Sequence, residues 1–347
     1  MQRNNPFGNA ARQESYVSDA KIPHSATTLG IEESDAAARV IESGNVSQGV
    51  EVEAFEDECA TFVGRRYGVA VNSGTAALQL SLRVLGIGAG ARVAQPSYAC
   101  AALITATHQQ GAESVLCDAA EDYNVDADHV PSDCDAVIAV HLFGATASLP
   151  AHSKVIEDIA QSFGGKTGCG GVVSITSFYA TKLMTTGEGG MLFTDDEALA
   201  NEARDLRDYD NRDDYRPRYA FKMTDIQAAI GRVQLETLPE FLVQRQSIAA
   251  RYHEAFAGSP LELPRQDDHV FFRYVVALDQ RDAFATHMQR SGIDAKRPVY
   301  RPAHHYLGAD CPGAERAHRR CVSLPIYPGL GTGDVDRVIG AALRFFG

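Results

Sequence analysis

Apolar positions along this chain alternate between short β-branched runs and stretches with helical spacing. Val52, Phe55, Cys59 and Phe62 recur every three or four residues, so Glu51–Val63 is expected to form an amphipathic helix, and Leu29–Ser43 another. Tyr67–Val71 is a short apolar strand, followed at once by Asn72-Ser73-Gly74-Thr75 and a helix over Ala76–Leu85. Further strands are expected at Arg92–Ala94, Ser114–Cys117, Ala136–Val140, Lys154–Glu157, from Val172 onward, and at Met191–Thr194, with a helix at Tyr98–Gln109. Strands alternating with helices predict an α/β fold with a mostly parallel sheet covered on both faces. In such sheets ligands sit beyond the carboxyl ends of the strands.

Helices dominate the second half. Glu197–Arg207 is one, Asp225–Leu235 a second with Ile226, Ala229, Ile230 and Val233 as its buried face, and Leu238–Phe256 a third. The last leads into a smaller α+β domain, with strands at Phe271–Leu278 and Cys321–Leu324 and a closing helix at Gly333–Phe345. Residues 1–27 are polar and aperiodic and read as a flexible arm, 28–236 as a large domain and 237–347 as a small C-terminal domain.

With 347 residues the chain can bury a large core. Its formal net charge of −13 argues against nucleic acid or an anionic membrane as the main partner. No apolar run approaches the length of a bilayer span, and the first residues lack the apolar core of a secretory signal. Seven cysteines are scattered without a CxxC pair, so neither a disulfide framework nor a structural zinc site is expected, and a reducing cytoplasm fits. There is no HExxH; His304-His305 is the only adjacent histidine pair.

Three strand ends carry candidate chemistry. Ser73-Gly74-Thr75 lies between a strand and a helix, where unpaired N–H groups and the helix dipole favour an anion; its ordinary role would be a capping turn. Lys154-Val-Ile-Glu-Asp158 is a strand ending in two carboxylates, and alternation sends Glu157 and Asp158 to opposite faces, so one of them reaches the ligand side. Lys182 follows the apolar run Val172, Val173, Ile175 and precedes the turn Gly187-Glu188-Gly189-Gly190. Burial lowers the pKa of such a lysine, and its neutral amine can form a Schiff base. An anion cradle, a carboxylate and a lysine are what pyridoxal phosphate (PLP) requires, and Tyr98, at another strand end, could supply an aromatic face for its ring.

The blocks NSGTAALQLSL, QPSYACAALITA, VHLFG, VIEDIAQSFGG, SFYATKLMTTGEGG, MTDIQAAIGRVQLE and CVSLPIYPGL, in this order, resemble the DegT/DnrJ/EryC1/StrS sugar aminotransferases, PLP enzymes of fold type I. The likeness runs from about Thr28 to the C-terminus. It implies a large PLP-binding domain with a seven-stranded sheet, Lys182 holding PLP, Asp158 at the pyridinium nitrogen, Gln161 near the ring hydroxyl, Tyr98 stacked on the ring, and Gly74, Thr75 and Ser177 at the phosphate, beside Ser73. It also implies a homodimer with the active site at the interface, glutamate as donor and a keto sugar, usually nucleotide-linked, as acceptor. His304 falls near a histidine that the family places close to substrate.

The chain departs from the family pattern in places. Ala220 stands where an Asn is commonly offered to the partner subunit's cofactor phosphate, Lys222 where Arg is usual, and Leu183 where Asn often follows the lysine. The segments Pro131–Asp135 and Ala147–Ser153 are short, which suggests a trimmed helix before Asp158. Sugar dehydratases on the same scaffold replace the lysine with His, so Lys182 points to amino transfer; a PLP-binding regulator without turnover is the other alternative.

Overall fold

The computed structural model describes residues 21–347. Its elements run α1 (Ile31–Ser43), α2 (Val50–Val63), β1 (Tyr67–Val71), α3 (Gly74–Val84), β2 (Arg92–Pro96), α4 (Ala102–Gln109), β3 (Glu113–Cys117), β4 (Ala136–Val140), β5 (Val155–Asp158), β6 (Val173–Ser177), β7 (Gly190–Thr194), α5 (Glu197–Leu206), α6 (Asp225–Phe256), β8 (Tyr274–Ala277), α7 (Arg281–Arg290), α8 (His304–Leu307), α9 (Pro312–Arg320), β9 (Cys321–Leu324) and α10 (Thr332–Arg344). Seven strands form one sheet in the order β1-β7-β6-β5-β4-β2-β3, parallel except for β7, which runs against both its neighbours. The expected α/β architecture with a mostly parallel sheet is therefore present. Strand alternation sorts its residues into two cores. Val69, Val71 and Leu192 pack with α3 and α5, whereas Ala70, Met191 and Phe193 pack with α2, α6, Phe163 and Phe178. A two-stranded antiparallel sheet, β8-β9, is covered by α7, α10 and the end of α6 around a separate apolar cluster.

The second half differs from its sequence reading. Asp225–Phe256 is one helix of 32 residues with Pro239 inside it, not two helices, and the boundary expected at 236/237 falls within it. Pro239 lies on the exposed side while Leu235, Leu238 and Phe241 stay buried, so continuous packing outweighs the one hydrogen bond that proline removes. The helices α7, α8 and α9 were not foreseen. Between β4 and β5 the only helical piece is the single 3₁₀ turn Leu142–Gly144, in keeping with the trimmed helix, and residues 268–273 pack there instead. Gly144, at φ +102°, lets the two segments touch: a Cβ on it would come within 2.9 Å of the Phe272 nitrogen.

The arm expected over 1–27 falls for residues 1–20 outside the described residues. Of residues 21–27, Ile22 and His24 are docked. Ile22 is buried and pairs with Ile293, and the buried His24 bonds Ser323 Oγ (Nε2, 2.9 Å) and Arg273 (Nδ1, 2.7 Å).

Candidate active site

The carboxyl ends of β1, β2, β4, β5 and β6 converge on a cavity of about 220 Å³, walled by Ser73, Gly74, Thr75, Cys100, Asp158, Gln161, Ser177, Tyr179 and Lys182 among others. Ser73 caps α3, its Oγ accepting from the Ala76 N–H (3.1 Å), so the first turn of that 11-residue helix faces the cavity. Tight packing holds this end: a Cβ on Gly74 would stand 2.7 Å from Ser177 Cβ, and one on Gly190 2.5 Å from the Ser73 carbonyl. Only glycine admits β7 and β6 this close to the helix start.

β5 delivers Asp158, 7% exposed, to the cavity side. Its Oδ1 accepts the Ala160 N–H at 2.9 Å; among the described residues no donor bonds Oδ2. Burial pushes the Asp158 carboxyl above the usual range, with Lys182 and the Ala160 N–H pulling the other way. Glu157 points to the opposite face, as alternation requires, and resolves which carboxylate the cavity receives.

Lys182 sits in a loop tied down from several sides. Its N–H bonds the Tyr179 carbonyl (2.9 Å), Thr186 N–H and Thr185 Oγ1 both bond the Phe178 carbonyl (3.0 Å each), and Phe178 N–H bonds the Gly189 carbonyl (2.9 Å). Burial drives the Lys182 ammonium toward the neutral amine; Asp158 and Cys100 oppose this, and Arg273 adds to it. The Nζ lies 5.4 Å from the centre of the Phe272 ring, and among the described residues no acceptor bonds it. Gln161 Oε1 accepts the Phe143 N–H (2.9 Å), at a residue held at φ +62°, which leaves its amide nitrogen as the donor it can offer the cavity.

Two expected residues are elsewhere. Tyr98, 1% exposed, is not in the cavity wall: its ring packs against Tyr123 and Phe143, and its hydroxyl reaches toward the Ala317 carbonyl (3.4 Å). The helix expected to start at Tyr98 starts only at Ala102, and this unwound stretch turns Ala99 and Cys100 to the cavity instead. The cavity therefore has no Tyr98 ring to stack on. His304 is also outside the wall, its ring held between Ser97 Oγ (2.6 Å) and Glu315 (3.3 Å). Of the departures, Leu183 is buried in the core, Lys222 is paired with Asp208 and Asp210 (2.9 Å each), and Ala220 is exposed beside Asn72.

Arg273 was missed, although a charge inside the apolar run FFRYVV was the signal. Its guanidinium lies 4.7 Å from the centre of the Phe272 ring, so it stands no more than about 10 Å from the Lys182 amine. Its side chain bonds the His24 ring, and among the described residues no carboxylate pairs with it. Burial, then the Arg273 charge, holds His24 down to about 2, so that ring does not compete as a cation.

The donor set suits PLP: an anion cradle, a carboxylate oxygen without a donor and an amine without an acceptor share one cavity. Residues 28–343 match the DegT/DnrJ/EryC1/StrS aminotransferase family. The chain is 34% identical to the dTDP-3-amino-3,4,6-trideoxy-alpha-D-glucose transaminase of Streptomyces venezuelae, over 89% of this chain and 91% of that one. It is also 34% identical to the GDP-perosamine synthase of Caulobacter vibrioides, over 83% and 88%. The fold superposes on the PLP form of the putative sugar aminotransferase Spr1654 of Streptococcus pneumoniae with a TM-score of 0.85 and 25% identity, covering 93% of this chain and 99% of that one. A match over nearly the whole length, together with the cavity that the shared blocks line, places this chain in the DegT/DnrJ/EryC1/StrS aminotransferase family.

Proposed function

We propose that this chain is a PLP-dependent aminotransferase that moves an amino group from glutamate to a keto sugar. The observation that carries the reading is the joint placement of Lys182, Asp158 and the start of α3 on one cavity. When bound, PLP supplies an aldehyde that takes up amines and a ring that takes up electrons. Lys182, eased toward its neutral form, would be the amine that meets that aldehyde and the base and acid that holds and moves a proton at Nζ. Asp158, whose Oδ2 has no donor among the described residues, would hold the ring nitrogen and its proton. Gln161 offers its amide to the ring hydroxyl. Ser73, Gly74, Thr75 and Ser177 take the phosphate at the positive end of α3.

Glutamate as donor is supported by Arg273, a cation without an acidic partner near the reacting amine, which suits one of the donor's carboxylates. The keto-sugar acceptor is supported by what the curated relatives are named for. We take the working unit to be a homodimer with the active site at the interface; exposed Ala220 has no polar group to lend a partner, so the phosphate is left to α3 and Ser177. Among the described residues no helix is long and apolar enough to cross a membrane, and all seven cysteines are free thiols, which suits a cytoplasmic enzyme.

The test is the half-reaction. Glutamate added to the PLP-loaded enzyme should yield one equivalent of 2-oxoglutarate and convert the cofactor spectrum to its amine form, and a keto nucleotide sugar should then restore the original spectrum. An absence of 2-oxoglutarate sinks the reading, and a deoxygenated sugar without a new amine would point to the dehydratase instead.

A further inference from the structure

Away from the cavity, three metal-ligating side chains converge where α8 meets α9. His304 Nε2 lies 3.3 Å and His305 Nε2 2.7 Å from the same oxygen, Glu315 Oε2. All three ligand atoms lie within 4.8 Å of one another. Around four-coordinate zinc, with bonds of about 2.0–2.2 Å, neighbouring ligand atoms stand roughly 3.3–3.5 Å apart. The two edges to Glu315 Oε2 therefore lie within about 1 Å of that spacing, and the edge between the two histidines is no longer than 4.8 Å.

We infer that His304, His305 and Glu315 form a binding site for a divalent cation of the zinc type, with water in the fourth position. Two imidazoles and one carboxylate favour zinc or its neighbours over magnesium or calcium, which prefer oxygen ligands throughout. Support beyond the three ligands is already built. Ser97 Oγ, 2.6 Å from His304 Nδ1, fixes that ring; with Nδ1–H donating to it, the Nε2 lone pair is free for the ion. Arg319 holds the other carboxylate oxygen, Glu315 Oε1, at 2.7 Å and so leaves Oε2 for the metal.

The cleft beside the triplet is open and about 870 Å³, which gives ion and water a route in. Its arginines oppose a cation only in part, since Arg320 is paired with Glu262 and Asp279, and Asp279 and Asp310 also line the cleft. His318, 8% exposed, packs edge-on to His305 with ring centres 5.1 Å apart, and its Nδ1 has no hydrogen-bond partner. Sequence spacing hid the site, because the carboxylate arrives ten residues after the histidine pair on the next helix. An ion here would tie α8 to α9 and, through Ser97, to the end of β2.

The test uses tag-free, PLP-loaded protein stripped with a chelator. Zn²⁺ is titrated calorimetrically, and Co²⁺ is titrated while following its visible absorption. One equivalent per chain is expected, with affinity falling at least tenfold in His305→Ala and in Glu315→Gln, and unchanged in the control His152→Ala. Far-UV dichroism and the cofactor spectrum report whether each variant is folded; the shape-conserving Glu315→Gln keeps the test valid if His305→Ala is not. Absence of saturable binding to the wild type overturns the site, as does an affinity that folded Glu315→Gln leaves unchanged.

Discussion

Glu157 and Asp158 are neighbours on β5, both buried, and the two faces of the sheet treat them in opposite ways. Glu157, 2% exposed, accepts from His141 Nε2 (2.8 Å) and from the N–H groups of Gly168 (2.6 Å), Gly170 (2.9 Å) and Gly171 (3.1 Å). Burial alone would raise it, but the bonds from His141, Gly168 and Gly171 outweigh burial and hold it at about 2. Asp158 receives one N–H and is pushed up. One carboxylate is consumed by the fold, pinning the loop 168–171 to the sheet. The other is left short of donors beside an amine, a state a protein keeps only where something from outside completes it.

The contrast predicts where substitutions harm chemistry and where they harm stability. The largest effect is expected at the amine opposite Asp158: Lys182→Ala should lower turnover by at least about 10³-fold. Borohydride reduction followed by peptide mass analysis should attach the cofactor to Lys182 in the wild type and to no peptide of the variant. Asp158→Asn should follow, with turnover down by roughly 10²-fold or more and thermal stability of the protein unchanged or raised, because a poorly solvated charge is removed. If Asp158→Asn instead unfolds the protein while the surviving fraction turns over normally, the assignment of the two faces is reversed.

Two arginines, Arg245 buried and Arg273 half-buried, repeat the contrast. Arg245 donates to the carbonyls of Phe271, Phe272 and Ile326 (3.0–3.3 Å) and belongs to the fold, whereas among the described residues Arg273 gives its side-chain hydrogen bonds only to the neutral His24 ring. Arg273→Gln should raise KM for glutamate about tenfold or more and leave KM for the sugar unchanged, in steady-state assays varying each substrate. An equal rise in both constants would make Arg273 a structural residue. Glu157→Gln, in turn, should cost about 3 kcal/mol in chemical denaturation while the glutamate half-reaction of the folded protein stays near its wild-type rate.

How much of this was legible in the sequence follows from the same distinction. Lys182, Asp158 and Ser73-Gly74-Thr75 could be found because each is a chemically distinctive residue at the end of an apolar strand, and strand ends of a parallel sheet share one edge. Alternation showed that Glu157 and Asp158 diverge, but not which one faces the cavity, since that depends on where the helices pack. Tyr98 was misplaced because its environment is built by Tyr123 and Phe143, far along the chain, and because four residues of an apparent helix are unwound. The continuity of α6 through Pro239 and the meeting of His24 with Arg273 are likewise tertiary facts. No window of local sequence contains them.

The smallest effect, and the most selective, is the pH dependence of stability. Glu157 has its native value lowered from 4.5 to about 2, so its contribution is complete above pH 4.5 and is lost as pH falls from 4.5 to about 2. Across that window the wild type should lose roughly 3 kcal/mol on this account. Asp158 has the opposite sign: its raised value means a penalty above its native pKa that protonation relieves, so lowering the pH cannot destabilise the fold through it. Denaturation of the wild type and of Glu157→Gln at pH 5.5, 4.5, 3.5 and 2.5 separates the two. The stability difference between them should shrink toward zero at the acid end. A difference that stays constant with pH would mean that Glu157 holds its loop by shape rather than by charge, and the contrast between the two faces of β5 would be lost.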